Sequence, residues 1–133
     1  MIIIRHLLLF LSLVFLLAGC VPNEFRFENR ANQNISQAEV LVKEDERIKG
    51  AAALFYDDHL IVGIRVKTFS RFNKTKIASE LETSLKELYP ELSVLVSADS
   101  KILTETTKLI LTSKDEDVKE DIHELIALVE EQT

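Results

Sequence analysis

From His59 to Lys67 the chain alternates in strict sequence. Leu60, Val62, Ile64 and Val66 fall on one side, and His59, Ile61, Gly63, Arg65 and Lys67 on the other. A period of two marks a β-strand with a buried face, because successive side chains point to opposite sides. The preceding run "AAALFY" is also strand-like, and Asp57-Asp58 separates the two. Aspartates tolerate left-handed backbone, so this pair predicts a tight hairpin turn. A lone hairpin is marginal in water, so other elements must cover it.

The flanking sequence supplies them. Upstream, Ser36-Gln37-Ala38-Glu39 reads as a capping box that opens a helix. That helix carries Ala38, Leu41, Val42 and Ile48 toward a core, with Gly50 ending it as a C′ glycine would. Downstream, Asn73 is placed to cap a helix whose stripe is Ile77, Leu81, Leu85 and Leu88, stopped by Pro90. "ELSVLVS" reads as a third strand, and Asp99 as the cap of a helix holding Ile102, Leu103, Leu109 and Ile110. A second capping box, Ser113-Lys114-Asp115-Glu116, opens a last helix with Val118, Ile122, Leu125, Ile126 and Val129 on one side.

These elements predict one α+β domain over 36–133, with a three-stranded sheet and helices on one face. The link from the second strand through the long helix to the third is a β-α-β crossover, which requires parallel strands and a right-handed path. The other sheet face then carries Ile61, Arg65 and Leu95, a candidate interaction face. Either the C-terminal helix folds over it or a partner does, because exposed apolar patches of appreciable size mark interfaces.

The N-terminus is of another kind. Arg5 and His6 precede an apolar run from Leu7 to Leu17, followed by the small residues Ala18-Gly19. That is the layout of a secretory signal peptide, and the run is shorter than the roughly 20 residues that span a bilayer. Leu17-Ala18-Gly19-Cys20 resembles the lipobox of bacterial lipoproteins. The resemblance implies cleavage after residue 19, a diacylglycerol on the sulfur of Cys20, and acylation of the new N-terminus. Each buried methylene adds about 0.8 kcal/mol, and two or more chains hold firmly where one does not. Residues 20–35, with "NEFRFENRANQN", have the polar composition of a tether. Phe25 and Phe27 stand out there, alternating as in a short strand or suited to a membrane interface.

Processing at that point leaves 114 residues with 15 basic and 22 acidic side chains, net −7. This balance argues against nucleic acid as a partner and against a polybasic hold on anionic lipid. Cys20 is the one cysteine, so no internal disulfide forms and hydrophobic burial must supply stability. The lipobox resemblance implies a bacterium, where the sequons at Asn34 and Asn73 carry no weight.

Taken together, the hairpin "AAALFYDDHLIVGIRV", the helix "KIASELETSLKELYP" and the segment "LSVLVSADSKI" resemble the sporulation lipoproteins of the YhcN/YlaJ type. The resemblance covers about residues 36–111 plus the lipobox. Ser100 stands where the family often has proline, and Asp57-Asp58 where it has Asn or Gly. It implies a membrane-attached protein on the extracytoplasmic face in an endospore former, on a spore membrane, with a role in sporulation, germination or outgrowth. It brings no catalytic residues and no cofactor.

Nor do the residues suggest chemistry. Asp57-Asp58-His59 are neighbours whose side chains diverge on a strand, so metal coordination there lacks convergent ligands. His123 sits among Glu120 and Glu124 on a polar helix face, and neither histidine has a nucleophile partner in a recognisable motif. The expected function is non-enzymatic binding of a protein or wall partner. A second reading is a lipid- or glycan-binding envelope module, similar in topology to BON domains and unrelated to sporulation.

Overall fold

The computed structural model describes residues 1–17, 24–112 and 115–131. Helix α1 (Ile2–Leu17) is followed by β1 (Glu24–Arg30), α2 (Ser36–Lys43), β2 (Ile48–Tyr56) and β3 (His59–Val66). A 3-10 turn (Thr68–Asn73) then leads to α3 (Lys74–Leu88), β4 (Ser93–Ser97), α4 (Ser100–Thr112) and α5 (Asp115–Glu131). The class is α+β, with a mixed four-stranded sheet in the order β1-β2-β3-β4.

The hairpin forms as its alternation dictates. β2 and β3 are antiparallel, Tyr56 faces His59 across the turn, and Asp57 takes a left-handed φ of 51°. β3 pairs in parallel with β4 directly beside it, as the crossover through α3 requires.

Two expectations are corrected. The sheet has four strands, because Glu24–Arg30, placed in the tether on composition, pairs in parallel with β2. Phe25 and Phe27 pack toward the core, while Glu24, Arg26, Glu28 and Arg30 take the other side. The helices also cover both faces. α2 and α3 bury Ala38, Val42, Ile77, Leu81 and Leu85 against Phe55, Leu60, Val62 and Ile64. On the opposite face α4 and α5 bury Ile102, Leu109, Ile122, Leu125 and Val129 against Leu54 and Ile61. Both faces of β2 and β3 are apolar, so one helical layer would leave Leu54 and Ile61 in water.

The boundaries of α2 also differ. It ends at Lys43, and Ile48–Gly50 belong to β2, so Gly50 is a strand residue and not a helix cap. Ile48 is buried in the core only by pairing beside Val66, and that burial outweighs helical continuation. The Ser36 box does not form a side-chain cap; Asn34 Oδ1 instead accepts the Ser36 amide at 3.2 Å. Asn73 likewise makes no capping bond, and Leu88 stays partly exposed while the next residue, Tyr89, is buried. Asp99 does cap α4, its Oδ1 accepting the Lys101 amide at 2.8 Å. The Ser113-Lys114 part of the second box lies outside the described residues.

The two crossovers, β1-α2-β2 and β3-α3-β4, step the same way across the sheet from oppositely directed strands. Both helices lie on one face, so the crossovers have opposite hands. About 98% of such units are right-handed. One of the two is therefore a left-handed exception.

Gly63 sets the spacing on the α4 side. A Cβ there would lie 2.6 Å from the Leu103 Cα, so only glycine lets the helix backbone settle onto β3.

Candidate functional site

Cys20 lies outside the described residues. α1 covers the apolar leader, and its side chains from Ile2 to Val14 stay exposed. No helix among the described residues is long and apolar enough to cross a membrane.

The candidate face Ile61, Arg65 and Leu95 does not come together as a surface. Ile61 is 1% exposed and Leu95 is half-buried in the same cluster, both beneath the α4 and α5 layer. α4, with the C-terminal helix beside it, occupies the place left open for a partner. Arg65 is exposed, and its Nη2 donates to Glu24 Oε2 at 3.0 Å, over Gly50, which has no side chain to intervene.

His59 Nε2 sits 3.3 Å from Asp58 Oδ1, and its buried Nδ1 has no hydrogen-bond partner among the described residues. His123 is exposed on α5. Among the described residues no set of three or more His, Cys, Asp or Glu side chains converges on one point.

A different region has the character of a site. β3 ends at Val66, and Lys67 holds extended backbone before the 3-10 turn closes with Ser70 N–H donating to Lys67 O at 2.8 Å. On that turn Phe69 is 98% exposed and Phe72 fully exposed. Large aromatics do not ordinarily stand clear of a fold, since each leaves 150–250 Å² of ring surface for a contact. Beside them a hollow of about 360 Å³ is lined by Lys49, Arg65, Arg71 and Lys74, with Thr68 and Ser100, and by no carboxylate. Larger hollows, of about 500 Å³ between α4 and α5 and about 600 Å³ between α3 and the β4–α4 link, mix both signs of charge.

The cations share one end of the sheet for a topological reason. The register Glu24–Gly50–Arg65 aligns the start of β1, the start of β2 and the end of β3. Lys49, Arg65 and the turn after Val66 therefore gather where the chain from Cys20 enters the sheet. The sequence signal was "KTFSRFNKTK", an acid-free run that the net charge of the whole chain conceals.

A second ionic cluster is structural. Arg47 bonds Asp45 at 2.9 Å and Glu80 at 2.6 Å, tying the α2–β2 link to α3. The guanidinium hydrogen bond holds the Asp45 carboxyl below its ordinary range. No protein-family model, curated protein or solved structure matches this chain.

Proposed function

We propose that this is a non-enzymatic lipoprotein, held on the extracytoplasmic face of a membrane through acyl chains on Cys20. Its α+β domain serves sporulation, germination or outgrowth by binding a protein or cell-wall partner. The observation that carries the anchor is Leu17-Ala18-Gly19-Cys20 directly after an apolar leader. The position of β1 supports it: the folded domain begins at Glu24, four residues beyond the thiol. A thiol is the one side chain in that segment able to form a thioether, and small residues before it fit an extended chain in a protease cleft. The spore-envelope assignment draws on the resemblance of the hairpin, α3 and β4 segments to the YhcN/YlaJ type.

The test is metabolic labelling of the native host with a fatty-acid analogue. Wild type is expected to carry label and to fractionate with membranes, and Cys20→Ala to be unlabelled and either released or left as precursor. An unlabelled, uncleaved wild type refutes the anchor. Transcript timing tests the cellular role: expression confined to sporulation supports it, and expression in growth alone favours an envelope module unrelated to spores.

A further inference from the structure

Five cations, Arg65, Lys67, Arg71, Lys74 and Lys76, lie between His59 and Ser79, and no carboxylate does. In a chain with 22 acidic and 16 basic side chains, that is a local reversal of sign. Net charge averages over the surface, whereas a bilayer meets one patch within about a Debye length of 8–10 Å. The structure puts this stretch on an exposed turn and places Phe69 and Phe72 at its tip, both free of protein contact surface.

The position of the turn relative to the anchor gives the occupant. Cys20 precedes Glu24 by four residues, which reach at most about 14 Å when fully extended. Glu24 pairs with Arg65 two strands across the sheet, a lateral distance of about 10 Å. The turn begins three residues after Arg65. A lipid on Cys20 therefore holds the basic, aromatic end of the sheet against the membrane. Aromatic rings favour the headgroup level, and lysines and arginines favour anionic lipid phosphates.

We infer that the Thr68–Asn73 turn is a membrane-docking element, with Phe69 and Phe72 entering the headgroup–acyl boundary of an anionic bilayer and Lys67, Arg71 and Lys74 over its phosphates. The inference rests on the Cys20 anchor proposed above. Docking fixes the orientation of the domain: the strands stand upright, and the Asp57-Asp58 turn at the far end of the sheet points outward to meet a partner.

The chain contains no tryptophan, so a single introduced indole reports its own site. The experiment uses full-length processed protein in phosphatidylglycerol vesicles with brominated acyl chains, carrying Phe69→Trp, Phe72→Trp or, at the far turn, Asp58→Trp. Emission is expected to shift to the blue and be quenched at 69 and 72 but not at 58. Each of Lys67→Gln, Arg71→Gln and Lys74→Gln, in exposed residues remote from the core, lowers the docking equilibrium about fivefold. Vesicle flotation and the mass of the Cys20 peptide report the anchor separately. Flotation with no quenching at 69 and 72 overturns docking and leaves the anchor standing. If Cys20 carries no lipid the anchor reading fails, and docking is then supported by quenching on added vesicles and overturned by its absence. A shift with purified anionic wall polymer, and none with vesicles, overturns it in favour of a wall ligand.

Discussion

Replacing Gly63 by alanine adds one methyl group at the point where helix and sheet are closest. The new Cβ would lie 2.6 Å from the Leu103 Cα and 2.9 Å from its nitrogen, where ordinary contact begins at 3.4 Å. These are backbone atoms, so no rotamer change relieves the clash, and α4 must retreat by about 1 Å. A radial gap of 0.5–1 Å forfeits roughly a quarter to a half of the dispersion well across the separated surfaces. The loss falls on Ile102 and Leu109, the α4 side chains that cover Leu54 and Ile61. Overpacking of this kind costs about 1–3 kcal/mol. Against it, alanine orders the unfolded chain less unfavourably than glycine, by about 0.4–1 kcal/mol. The net expectation is a loss of about 1–2 kcal/mol, or about 4–8 °C in Tm per kcal/mol for a domain near 100 residues. Urea melts followed by circular dichroism measure it. Gly50→Ala is the control: its Cβ meets the Glu24 carbonyl at 3.2 Å and the movable Arg65 guanidinium at 3.4 Å, and should cost less. Strand propensity alone predicts the opposite sign at Gly63, because glycine within a strand is unfavourable relative to alanine. A Gly63→Ala protein as stable as wild type, or more so, refutes the close approach of α4 to β3.

In the other core, Ile64→Ala should cost about 2–5 kcal/mol because Ile64 is 1% exposed, while Lys67→Ala stays within about 0.5 kcal/mol; equal losses in urea would mean that the β3 register is wrong. Deleting residues 114–133 removes the α5 part of the second core, and should bring dye binding and a lowered melting temperature; unchanged stability would show that α5 does not pack there. Asp45 has a folded pKa depressed chiefly by its hydrogen bond to Arg47, so its contribution is present above the ordinary value of 3.8 and is lost as pH falls through the folded value. Acid melts of Arg47→Ala should therefore be less steep below about pH 4 than those of wild type. Burial raises the Tyr89 phenol above 10.0, so its contribution is present below that pH and is lost as the phenol ionises above it. Tyr89→Phe should flatten this alkaline loss and cost about 1 kcal/mol at neutral pH, through the 2.6 Å bond to the Asn34 carbonyl; an unchanged alkaline limb would exclude Tyr89 as its source.

What the sequence disclosed was local. The hairpin, the α3 stripe, the β4 strand and the Asp99 cap each declare themselves within a few residues, by period or by a cap at fixed offset. β1 escaped because four of its seven residues are charged, and composition outweighed the alternation of Phe25 and Phe27. Its charged side is tolerated at a sheet edge, where solvent remains close. The second helical layer has its signal in "AAALFY", which lacks polar alternation, as expected of a strand buried on both faces. Gly50 looked like a helix stop for sound local reasons, and only the pairing of Ile48 with Val66 moves it into the sheet. Of the two covers expected for the face of Ile61 and Leu95, the helical one forms. Ile61 and Leu95 are apolar because α4 and α5 rest on them, and that contact is not visible in either segment alone. The basic aromatic turn required knowing that β3 ends at the same end of the sheet where β1 starts, which is a fact of register.

That register has a mechanical consequence. With Cys20 held in a bilayer, any load between membrane and domain enters at Glu24, the first residue of an edge strand. If the strands stand upright on the membrane, the pull runs along β1 and not across it. The ladder from Glu24–Gly50 to Arg30–Tyr56 is then loaded in shear, with its hydrogen bonds resisting together. A pull from the side would open the same bonds one after another, as a zipper opens. A swelling or shrinking envelope would thus meet a stiff attachment in one direction and a weak one in the other, with β1 the first element to yield.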